Sequence, residues 1–328
     1  MNTNLPSGRA PMPVAFLGIA VGALALAGAW RAAAKVWPIP DSVPAVMTMV
    51  ALAVWLVLMA AYAHKWLTQR ADAIAEMQHP VQSSFAALAP VSTMLAAQAV
   101  QSESRALAIA LFAAGVASQL ALGAYLHGRF WQGGRKPEWT TPAMYLPTVA
   151  PSFVAGTAAT GLGWTQAGML FFGAGVFSWI AIESLVLHRA AVHEPLPDAL
   201  RPSLGIQLAP PVVGGVSYLA ITHGVPDTFA YMLLGYGLYQ ALMLARLVPW
   251  IRQRNFTPSY WAFSFGAAAL PTMAIRMLER GAQGPVEWIA PVAFVAANIV
   301  IAMLVAGTLR AMIAGRLLPA PAIAAKGA

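Results

Sequence analysis

Few side chains in this sequence could carry out acid-base or metal chemistry. The chain has no cysteine, and its six histidines all fall near the ends of apolar stretches or between them: His64, His79, His127, His188, His193 and His223. Of the eleven acidic residues, only Glu183 lies deep within an apolar stretch. An unpaired charge at mid-membrane costs about 2.5 to 3.5 kcal/mol or more. We therefore expect Glu183 to form a buried ion pair with Arg246, and a structural pair is favoured over a coupling site.

Signatures of enzymes and metal sites are missing from the sequence. It has no nucleophile with an obvious base, no glycine-rich phosphate loop and no HExxH pair. Asp72 and Glu76 are four residues apart, but Arg70 is beside them and no third ligand follows, which is typical of a solvated face. The sequence therefore predicts no metal site, no cofactor and no enzyme activity.

The composition is that of a protein surrounded by lipid. Only 9% of the residues are charged, 59% are hydrophobic, and the mean hydropathy is +0.67. A soluble domain carries roughly 25% charged residues, so a soluble globule is excluded. The net charge of +8 comes from single basic residues between apolar stretches and never from a basic run, which argues against nucleic acid as a partner.

Uncharged stretches of about 20 residues, the length that crosses a bilayer, predict an all-α integral membrane protein with ten transmembrane helices. One stretch, residues 139–182, is long enough for two helices and contains Gly161 and Gly163 near its middle, which predicts a tight helical hairpin. The whole chain, 1–328, is predicted to be a single transmembrane domain. Its helices are expected at about 12–34, 42–66, 80–102, 105–127, 141–160, 164–188, 201–222, 227–250, 256–278 and 286–312.

The distribution of Lys and Arg tests this topology. With ten helices, 14 of the 19 basic residues fall at the termini and after the even-numbered helices, and the other side keeps only Arg31, Lys35, Arg105, Arg276 and Arg280. Basic residues accumulate on the cytoplasmic side of membrane proteins. The sequence therefore predicts that both termini are cytoplasmic.

Proline interrupts the middle of the predicted spans only in odd-numbered helices. The steps from Pro90 to Pro151, Pro210 and Pro271 are 61, 59 and 61 residues, which matches one helical hairpin per repeat. Proline in a membrane helix frees backbone groups, and this is tolerated where the helix is buried in protein or lines a wet cavity. We expect five hairpins in a quasi-five-fold array, with the odd helices around a central pore and the even helices facing lipid. Close packing alone could also explain any single glycine in the odd helices.

Several motifs in chain order resemble the TehA family of bacterial tellurite-resistance and dicarboxylate-transport proteins, which is part of the slow-anion-channel family. They cover the predicted helices 3 to 9. They are His79-Pro80 with SSFAALAPVSTM at 83–94, WQGG at 131–134, YLP at 145–147, LFFGAG at 170–175, GYG at 235–237, Arg246 with Pro249-Trp250, and WAFSFG at 261–266. One departure is Ala20, where relatives tend to carry proline.

The resemblance implies a homotrimer in the bacterial inner membrane, with a separate pore in each protomer and a phenylalanine that plugs it. Phe265, the second phenylalanine of WAFSFG, occupies that gate position. The expected pore-lining residues are mostly small residues and prolines of the odd helices: Gly18, Gly22, Phe85, Pro90, Thr93, Pro147, Pro151, Ser152, Gly205, Pro210, Gly266, Pro271 and Thr272.

Two functions follow from these expectations. The first is a gated channel for small monovalent anions, because the inner helices carry no acidic side chain to repel an anion and no embedded carboxylate or histidine to couple transport to protons. Helix dipoles, freed N–H groups and the hydroxyls of Thr93, Ser152 and Thr272 would attract the anion. The alternative is a carrier or exporter of four-carbon dicarboxylates such as malate, or of tellurite. A divalent substrate would require a buried arginine, for which Arg276 is the candidate.

Overall fold

The computed structural model describes residues 12–252 and 256–318, and in these ranges the chain is helical with no β-strand. Nine helical segments within them are long and apolar enough to cross a membrane. The chain is therefore a multi-pass membrane protein. The predicted single domain, 1–328, also includes 1–11, 253–255 and 319–328, which lie outside the described residues.

Five long helices form the outer part of the bundle. Each has 24 to 29 residues, and only 17% to 33% of its most apolar window is buried. Large apolar side chains such as Leu170, Phe177 and Val292 are exposed on them, as lipid contact requires. The five are α2 (Ser42–Thr68), α6 (Arg105–Trp131), α8 (Thr165–Val192), α10 (Thr228–Ile251) and α12 (Pro285–Ile313).

Five shorter helices, of 13 to 17 residues, form the interior, and each follows a separate short helical segment. They are α1 (Leu17–Ala33), α5 (Leu88–Val100), α7 (Val149–Gly161), α9 (Ala209–Ile221) and α11 (Ser264–Glu279). The preceding segments are 3-10 helices at Val14–Phe16, Pro142–Tyr145, Arg201–Leu208 and Pro258–Phe263, and the short helix α4 (Gln82–Phe85) before α5.

The prolines of the inner helices lie near these changes of helix geometry. Pro90, Pro151 and Pro211 are each the third residue of their helix, a position where the missing N–H costs no bond within the helix. Helices α5 and α9 continue from the preceding short segments through residues with helical backbone angles, whereas α7 begins anew after Thr148, whose φ is −132°. Of the prolines in the inner helices, Pro271 lies well inside one, α11. Helix α1 also continues from a 3-10 turn and has Ala20 and no proline, so this change of helix geometry does not depend on proline there.

The fifth predicted span, 141–160, is not one continuous helix. Its residues divide into the 3-10 turn Pro142–Tyr145 and the 13-residue helix α7, with Pro147 between them. Proline cannot donate the hydrogen bond that would continue the turn, and Thr148 after it has a φ of −132°, outside the helical range. This segment is therefore absent from the nine long spans among the described residues.

The inner helices contact one another in a defined order. Helix α1 packs against α5 and α11, α7 packs against α5 and α9, and α9 packs against α11. Each inner helix also packs against the long helix that follows it, so that helical hairpins are the building units. In the hairpin of α7 and α8, Gly156 and Gly168 meet: a Cβ on Gly168 would lie 2.9 Å from the carbonyl oxygen of Gly156. Glycine at these positions allows close backbone approach.

One predicted solvated face is corrected by the structure. The helix α3 (Arg70–Gln78) packs on α2 and α4, and Glu76 forms an ion pair with Lys65, whose Nζ lies 2.6 Å from Glu76 Oε2. Lys65 is only 1% exposed and also donates to the carbonyl of Met12 at 2.9 Å. Asp72, in contrast, is exposed. A buried ammonium requires a partner, so Glu76 ties α3 to the bundle.

Candidate functional site

A largely apolar cavity lies where the inner helices begin. It is lined by aliphatic and aromatic side chains that include Val21, Phe85, Leu88, Phe153, Ile206 and Phe265. Its polar side chains are few, and two of them have hydroxyl protons directed away: Tyr145 donates to Glu183 at 2.6 Å, and Ser264 to the carbonyl of Trp261 at 2.7 Å. An anion in this cavity would have few side-chain donors.

The first turns of all five inner helices border this cavity. The residues concerned are the first or second of each helix: Gly18, Leu88, Val149, Ala209 and Ser264, joined by Ala150, Pro210 and Phe265. A helix carries about half a positive charge at its N-terminus. Helices α1, α9 and α11 continue directly from 3-10 segments, whereas α7 begins after the non-helical residue Thr148, so α7 directs the positive end of its dipole at the cavity.

A second cavity, of about 850 Å³, lies between the C-terminal halves of the inner helices. Its wall includes Gln98, Thr157 and Thr272 together with four charged side chains, Arg31, Lys35, Arg276 and Glu279. Lys35 and Glu279 form an ion pair at 3.0 Å. Three cations against one anion leave this cavity positively charged.

Phe265 borders both cavities, and Val213 of α9 does the same. Phe265 is the second residue of α11 and is partly buried. The adjacent Gly266 packs directly on α9, since a Cβ there would lie 2.7 Å from Leu208 Cβ and 3.0 Å from the backbone nitrogen of Ala209. The backbone beneath the Phe265 ring is therefore held closely by the neighbouring chain.

The expected pore-lining residues divide into two groups. Gly18, Phe85, Pro210 and Thr272 border the cavities with Phe265. The others do not border either cavity: Gly22, Pro90, Thr93, Pro147, Pro151, Ser152, Gly205, Gly266 and Pro271. Two of the glycines have packing roles, because a Cβ would meet Ser264 Oγ at 2.4 Å from Gly22 and the ring of Phe263 at 2.6 Å from Gly205.

Of the three hydroxyls expected to attract an anion, two donate their protons to the backbone, and the third, on Ser152, accepts a hydrogen bond and borders neither cavity. Thr93 donates to the carbonyl of Ala89 at 2.8 Å, and Thr272 donates to that of Ala268 at 2.7 Å. Ser152 accepts from Gln119 Nε2 at 3.3 Å. Threonine in a helix commonly bonds back to the carbonyl four residues earlier, which explains why the first two protons are not available.

Glu183 has aromatic partners where Arg246 was expected. Its Oε2 accepts from Tyr145 at 2.6 Å and from Trp179 Nε1 at 2.9 Å, and its Oε1 accepts from Tyr236 at 2.9 Å. The ion pairs within the described ranges do not join Glu183 to Arg246. Tyr145 borders the first cavity, so the carboxylate lies behind its wall and orients a side chain of that wall.

Sequence reasoning identified Arg276 but missed its convergence with Arg31 and Lys35. The signal was present, because the topology placed all three on the side of the membrane with few basic residues. Arg31 lies in the last turn of α1, and Arg276 lies in the last turn of α11. These two helices pack against each other. The contact between these two helices, which is distant in the sequence, is what brings the charges to one cavity.

Comparison with known proteins covers nearly the whole chain. A family model described as voltage-dependent anion channel matches residues 11–309. A tellurite resistance protein TehA homolog from Haemophilus influenzae is 34% identical over 307 residues, which cover 93% of this chain and 92% of that protein. An uncharacterized transporter from Methanocaldococcus jannaschii is 27% identical over 234 residues, covering 62% of this chain and 66% of that protein. A second one from the same organism is 25% identical over 243 residues, covering 61% and 66%.

Proposed function

The chain belongs to the voltage-dependent anion channel family, which includes TehA, and from that premise we propose that it is a gated channel for small monovalent anions. The proposed pore runs along the axis of a quasi-five-fold array of the inner helices α1, α5, α7, α9 and α11. It passes from the first cavity to the second, and Phe265 closes it between them. Helices α2, α6, α8, α10 and α12 face lipid.

The observation that carries the proposal is one largely apolar cavity beside Phe265 that all five inner helices border with their first turns. A helix end, such as the N-terminus of α7 here, attracts anions at membrane depth without binding them as tightly as arginine would. A conducting site must be favourable enough to enter and weak enough to leave. An apolar wall with a helix end and no charged side chain is compatible with both requirements.

The same features support weak discrimination by dehydration. The hydroxyls of Tyr145, Ser264 and Thr272 already donate within the protein, so an anion gains few new hydrogen bonds when it loses water. Anions that shed water at low cost should therefore pass better than strongly hydrated ones. We propose the order nitrate or iodide above chloride, and chloride above divalent anions.

A gate at Phe265 is supported by its place on both cavities and by the absence of any other aromatic residue common to their walls in the described part of the chain. An apolar ring in an apolar passage excludes water and ions together. Rotation of the ring about its side-chain torsions would open the passage while the backbone of α11 stays packed on α9.

The experiment that tests the channel is efflux from liposomes that contain the purified protein. Liposomes with the wild type should release chloride slowly, and those with Phe265→Ala should release it at least about tenfold faster. That factor corresponds to a free-energy barrier to permeation lower by about 1.4 kcal/mol once the ring is removed. Phe177→Ala is the matched control, because Phe177 is 75% exposed on the outer helix α8. Equal efflux from the wild type and Phe265→Ala would reject the gate.

A carrier or exporter of dicarboxylates or of tellurite is the second candidate function. It is favoured by Arg276, which borders the second cavity, and by the name of the tellurite resistance homolog. On this proposal malate moves through the wild type only with a proton gradient, and Arg276→Gln abolishes the movement. Gradient-independent flux of small anions would favour the channel instead.

Assembly and location complete the proposal and rest on the family. We propose a homotrimer in the bacterial inner membrane, with both termini in the cytoplasm, one pore per protomer, and neither a cofactor nor nucleic acid as a partner. To test the trimer, the protein is extracted from native membranes into lipid nanodiscs and the protein mass per particle is measured. A trimer requires three copies of the 34.5 kDa chain in each particle. A protomer mass would contradict it.

A further inference from the structure

Two of the sequence motifs that the proposed function does not use meet in a pocket at the C-terminal end of the outer helix α6. One is WQGG at 131–134, and the other is His79-Pro80 with Ser83. The pocket wall includes Pro80, Ser83, Arg129, Arg135 and Trp139 together with both glycines of WQGG. None of its described wall residues belongs to the walls of the two cavities, so this interfacial pocket is separate from the proposed pore.

Arg135 connects the two segments and is held in a fixed position. Its Nη1 donates to the carbonyl of Pro80 at 3.1 Å, and its Nη2 donates to that of Trp139. The guanidinium also lies 4.9 Å from the centre of the Phe130 ring, which is a cation–π contact. Each terminal nitrogen carries two N–H groups, so one on each nitrogen is left for a ligand.

Arg129 brings a second positive charge to the same wall. It is exposed in the last turn of α6, and the ion pairs within the described ranges include neither Arg129 nor Arg135. Burial, and after it the nearby charge of Arg129, lowers the pKa of Arg135. The described wall residues contain no aspartate or glutamate. An anion that contacts both arginines would therefore relieve their repulsion.

Ser83 adds a neutral donor that has no partner in the described part of the protein. Its side chain is only 5% exposed, it borders the pocket, and its hydroxyl forms no hydrogen bond with a described residue. A buried hydroxyl without a partner is costly, and a ligand that accepts its proton removes this cost. Gly133 and Gly134 keep their part of the wall open, since a Cβ on either would have no atom within 4 Å. Two guanidinium groups beside a hydroxyl match the oxygens of a phosphate group.

The pocket lies at the depth of lipid headgroups. On α6, Leu120 and Tyr125 are exposed, as contact with lipid requires, and Arg129 lies 5.8 Å from the centre of the Tyr125 ring. Trp131, the last residue of this helix, is 89% exposed. Tryptophan and tyrosine are enriched at the boundary between the hydrocarbon core and the headgroups. A phosphate group in this pocket would therefore belong to a lipid whose acyl chains lie along α6.

We propose that the interfacial pocket binds the phosphate group of an anionic phospholipid. Arg129 and the free N–H groups of Arg135 donate to the phosphate oxygens, and Ser83 donates its hydroxyl proton. Basic pockets at the ends of membrane helices are suited to anionic headgroups. The proposal goes beyond the channel function and does not depend on it.

A lipid bound here would stabilise two segments that lead to the first cavity. Pro80 precedes α4, which ends at Phe85, and Trp139 precedes the 3-10 turn that ends at Tyr145. Phe85 and Tyr145 both line the first cavity. Because Arg135 bonds to the carbonyls of Pro80 and Trp139, a ligand on Arg135 holds both segments in place. We therefore expect the bound lipid to raise the thermal stability of the protein.

Binding is tested by native mass spectrometry of the purified full chain in detergent, with phosphatidylglycerol and phosphatidylcholine offered at equal concentrations. The wild type should retain phosphatidylglycerol saturably and in preference to phosphatidylcholine. Arg129→Gln should bind it roughly tenfold more weakly, the factor for loss of one charge-assisted contact. Arg310→Gln is the matched control, because Arg310 is exposed in the last turn of the outer helix α12, as Arg129 is in α6, and lies outside the pocket.

Thermal unfolding gives a second measurement on the same proteins. Phosphatidylglycerol should raise the melting temperature of the wild type and of Arg310→Gln more than phosphatidylcholine does, and Arg129→Gln should lose this difference. Ser83→Ala should weaken lipid binding several-fold without lowering the melting temperature in the absence of added lipid, since the hydroxyl it removes has no partner among the described residues.

Inorganic phosphate distinguishes a lipid from a free phosphate compound. In large excess it should displace little phosphatidylglycerol, because it lacks the acyl chains that lie along α6. Ready displacement by inorganic phosphate, together with equal retention of the two lipids, would overturn the lipid assignment. Equal phosphatidylglycerol binding by the wild type and Arg129→Gln, or equal weakening in Arg310→Gln, would overturn the site itself.

Discussion

Glu183 illustrates how a carboxylate can be stabilised inside the membrane part of the molecule by neutral donors. Its two oxygens accept from Tyr145, Trp179 and Tyr236, and Gln240 Nε2 donates in turn to the Tyr236 hydroxyl at 2.8 Å. A charge surrounded by aligned donors needs no counter-ion, because hydrogen bonds to an ionised acceptor are stronger than neutral ones.

Replacement of Glu183 by glutamine should destabilise the fold and leave anion flux intact. In the wild type the Tyr236 hydroxyl donates to Glu183 Oε1 and accepts from Gln240 Nε2. If the NH2 group of the new glutamine replaces Oε1, the Tyr236 hydroxyl loses the acceptor for its proton and faces a second donor. We expect the free energy of unfolding to fall by about 1 to 3 kcal/mol, the cost of a buried group left unsatisfied. Thermal unfolding in detergent measures it. Ser184→Ala on the exposed face is the control, and equal melting temperatures for all three proteins would contradict the role of the network.

At the scale of single residues, the sequence was informative about which side chains are unusual and less so about their partners. Glu183 is recognisable because charge is rare in an apolar stretch. Its partners lie on the segment Pro142–Tyr145 and on α10 as well as on α8, and tyrosine and tryptophan near a span also fit an interfacial belt. Arg246 was the expected partner of Glu183 because the sequence shows which residues have opposite charge. It does not show that the hydroxyls of Tyr145 and Tyr236 point at the carboxylate.

Among the elements, close helix contacts depend on glycine at particular positions. In α8, Gly168 meets the backbone of α7, whereas Gly173 has nothing within 4 Å of the position its Cβ would take. Gly168→Ala should therefore destabilise the hairpin by about 1 to 3 kcal/mol through overpacking. Gly173→Ala provides the matched control, with the same change on the same helix and no expected loss. The unfolding midpoint in detergent decides it, and similar midpoints for the two variants would contradict the packing role.

The attachment of α3 gives a second prediction at this scale. Glu76→Gln leaves the ammonium of Lys65, which is 1% exposed, with only the carbonyl of Met12 and a neutral amide. Removal of one partner from a buried pair costs about 3 kcal/mol or more, so we expect a clear loss of stability.

Asp72→Asn is the control for this change, because Asp72 is exposed on the same helix and surface substitutions usually change stability by less than about 0.5 kcal/mol. Denaturant titration of the two variants beside the wild type provides the measurement. Equal stability of Glu76→Gln and Asp72→Asn would show that α3 is not held by this pair.

For the elements, the proline period predicted which helices change geometry along their length. Helices α5 and α9 continue from the short helical segments before them through residues with helical backbone angles, Ala87 and Leu208, which is compatible with the expected continuous helices. Helix α7 differs, because Thr148 before it has a φ of −132° and Pro151 stands in a new first turn. Helix α1 changes from 3-10 to α geometry with Ala20 and without a proline inside it, so proline does not account for every such change.

Over the whole molecule, charged side chains are unevenly distributed between the two cavities. The second cavity carries Arg31, Lys35 and Arg276, while the wall of the first is largely apolar. We therefore expect Phe265→Ala to pass nitrate and iodide several-fold faster than chloride, because few groups repay dehydration in the first cavity. Initial rates from liposomes loaded with each anion provide the test, and a preference for chloride would contradict it.

Proton independence is the companion expectation. Glu183 is bonded behind the wall of the first cavity, and the walls of both cavities contain a single carboxylate, Glu279, which is paired with Lys35. Proton-coupled transport normally uses an embedded carboxylate or histidine near the substrate. Chloride efflux through Phe265→Ala should therefore be the same with and without a proton gradient, and acceleration by the gradient would favour the carrier.

The positions of most membrane segments, and the greater burial of those that carry the periodic prolines, could be predicted from hydropathy and proline spacing, because both are local properties of the chain. The predicted number of ten was not confirmed, since nine of the described helical segments are long and apolar enough to cross a membrane. The cation cluster could not be predicted, since it depends on the packing of α1 against α11, whose arginines are 245 residues apart in the sequence, from Arg31 to Arg276. Of the residues expected to line a pore, Gly18, Phe85 and Pro210 border the first cavity, whereas Gly22, Gly205 and Gly266 lie close against side chains of neighbouring segments.

The most direct test of the account is the conductance of single proteins in planar bilayers as the side chain at position 265 is reduced from Phe to Leu, Val and Ala. Phe265 borders both cavities, so each reduction in volume should raise the chloride conductance, with the largest current in Phe265→Ala and the wild type nearly closed. Phe177→Ala should behave as the wild type. Conductance that does not change across the series would contradict a gate at Phe265 and with it the proposed path between the cavities.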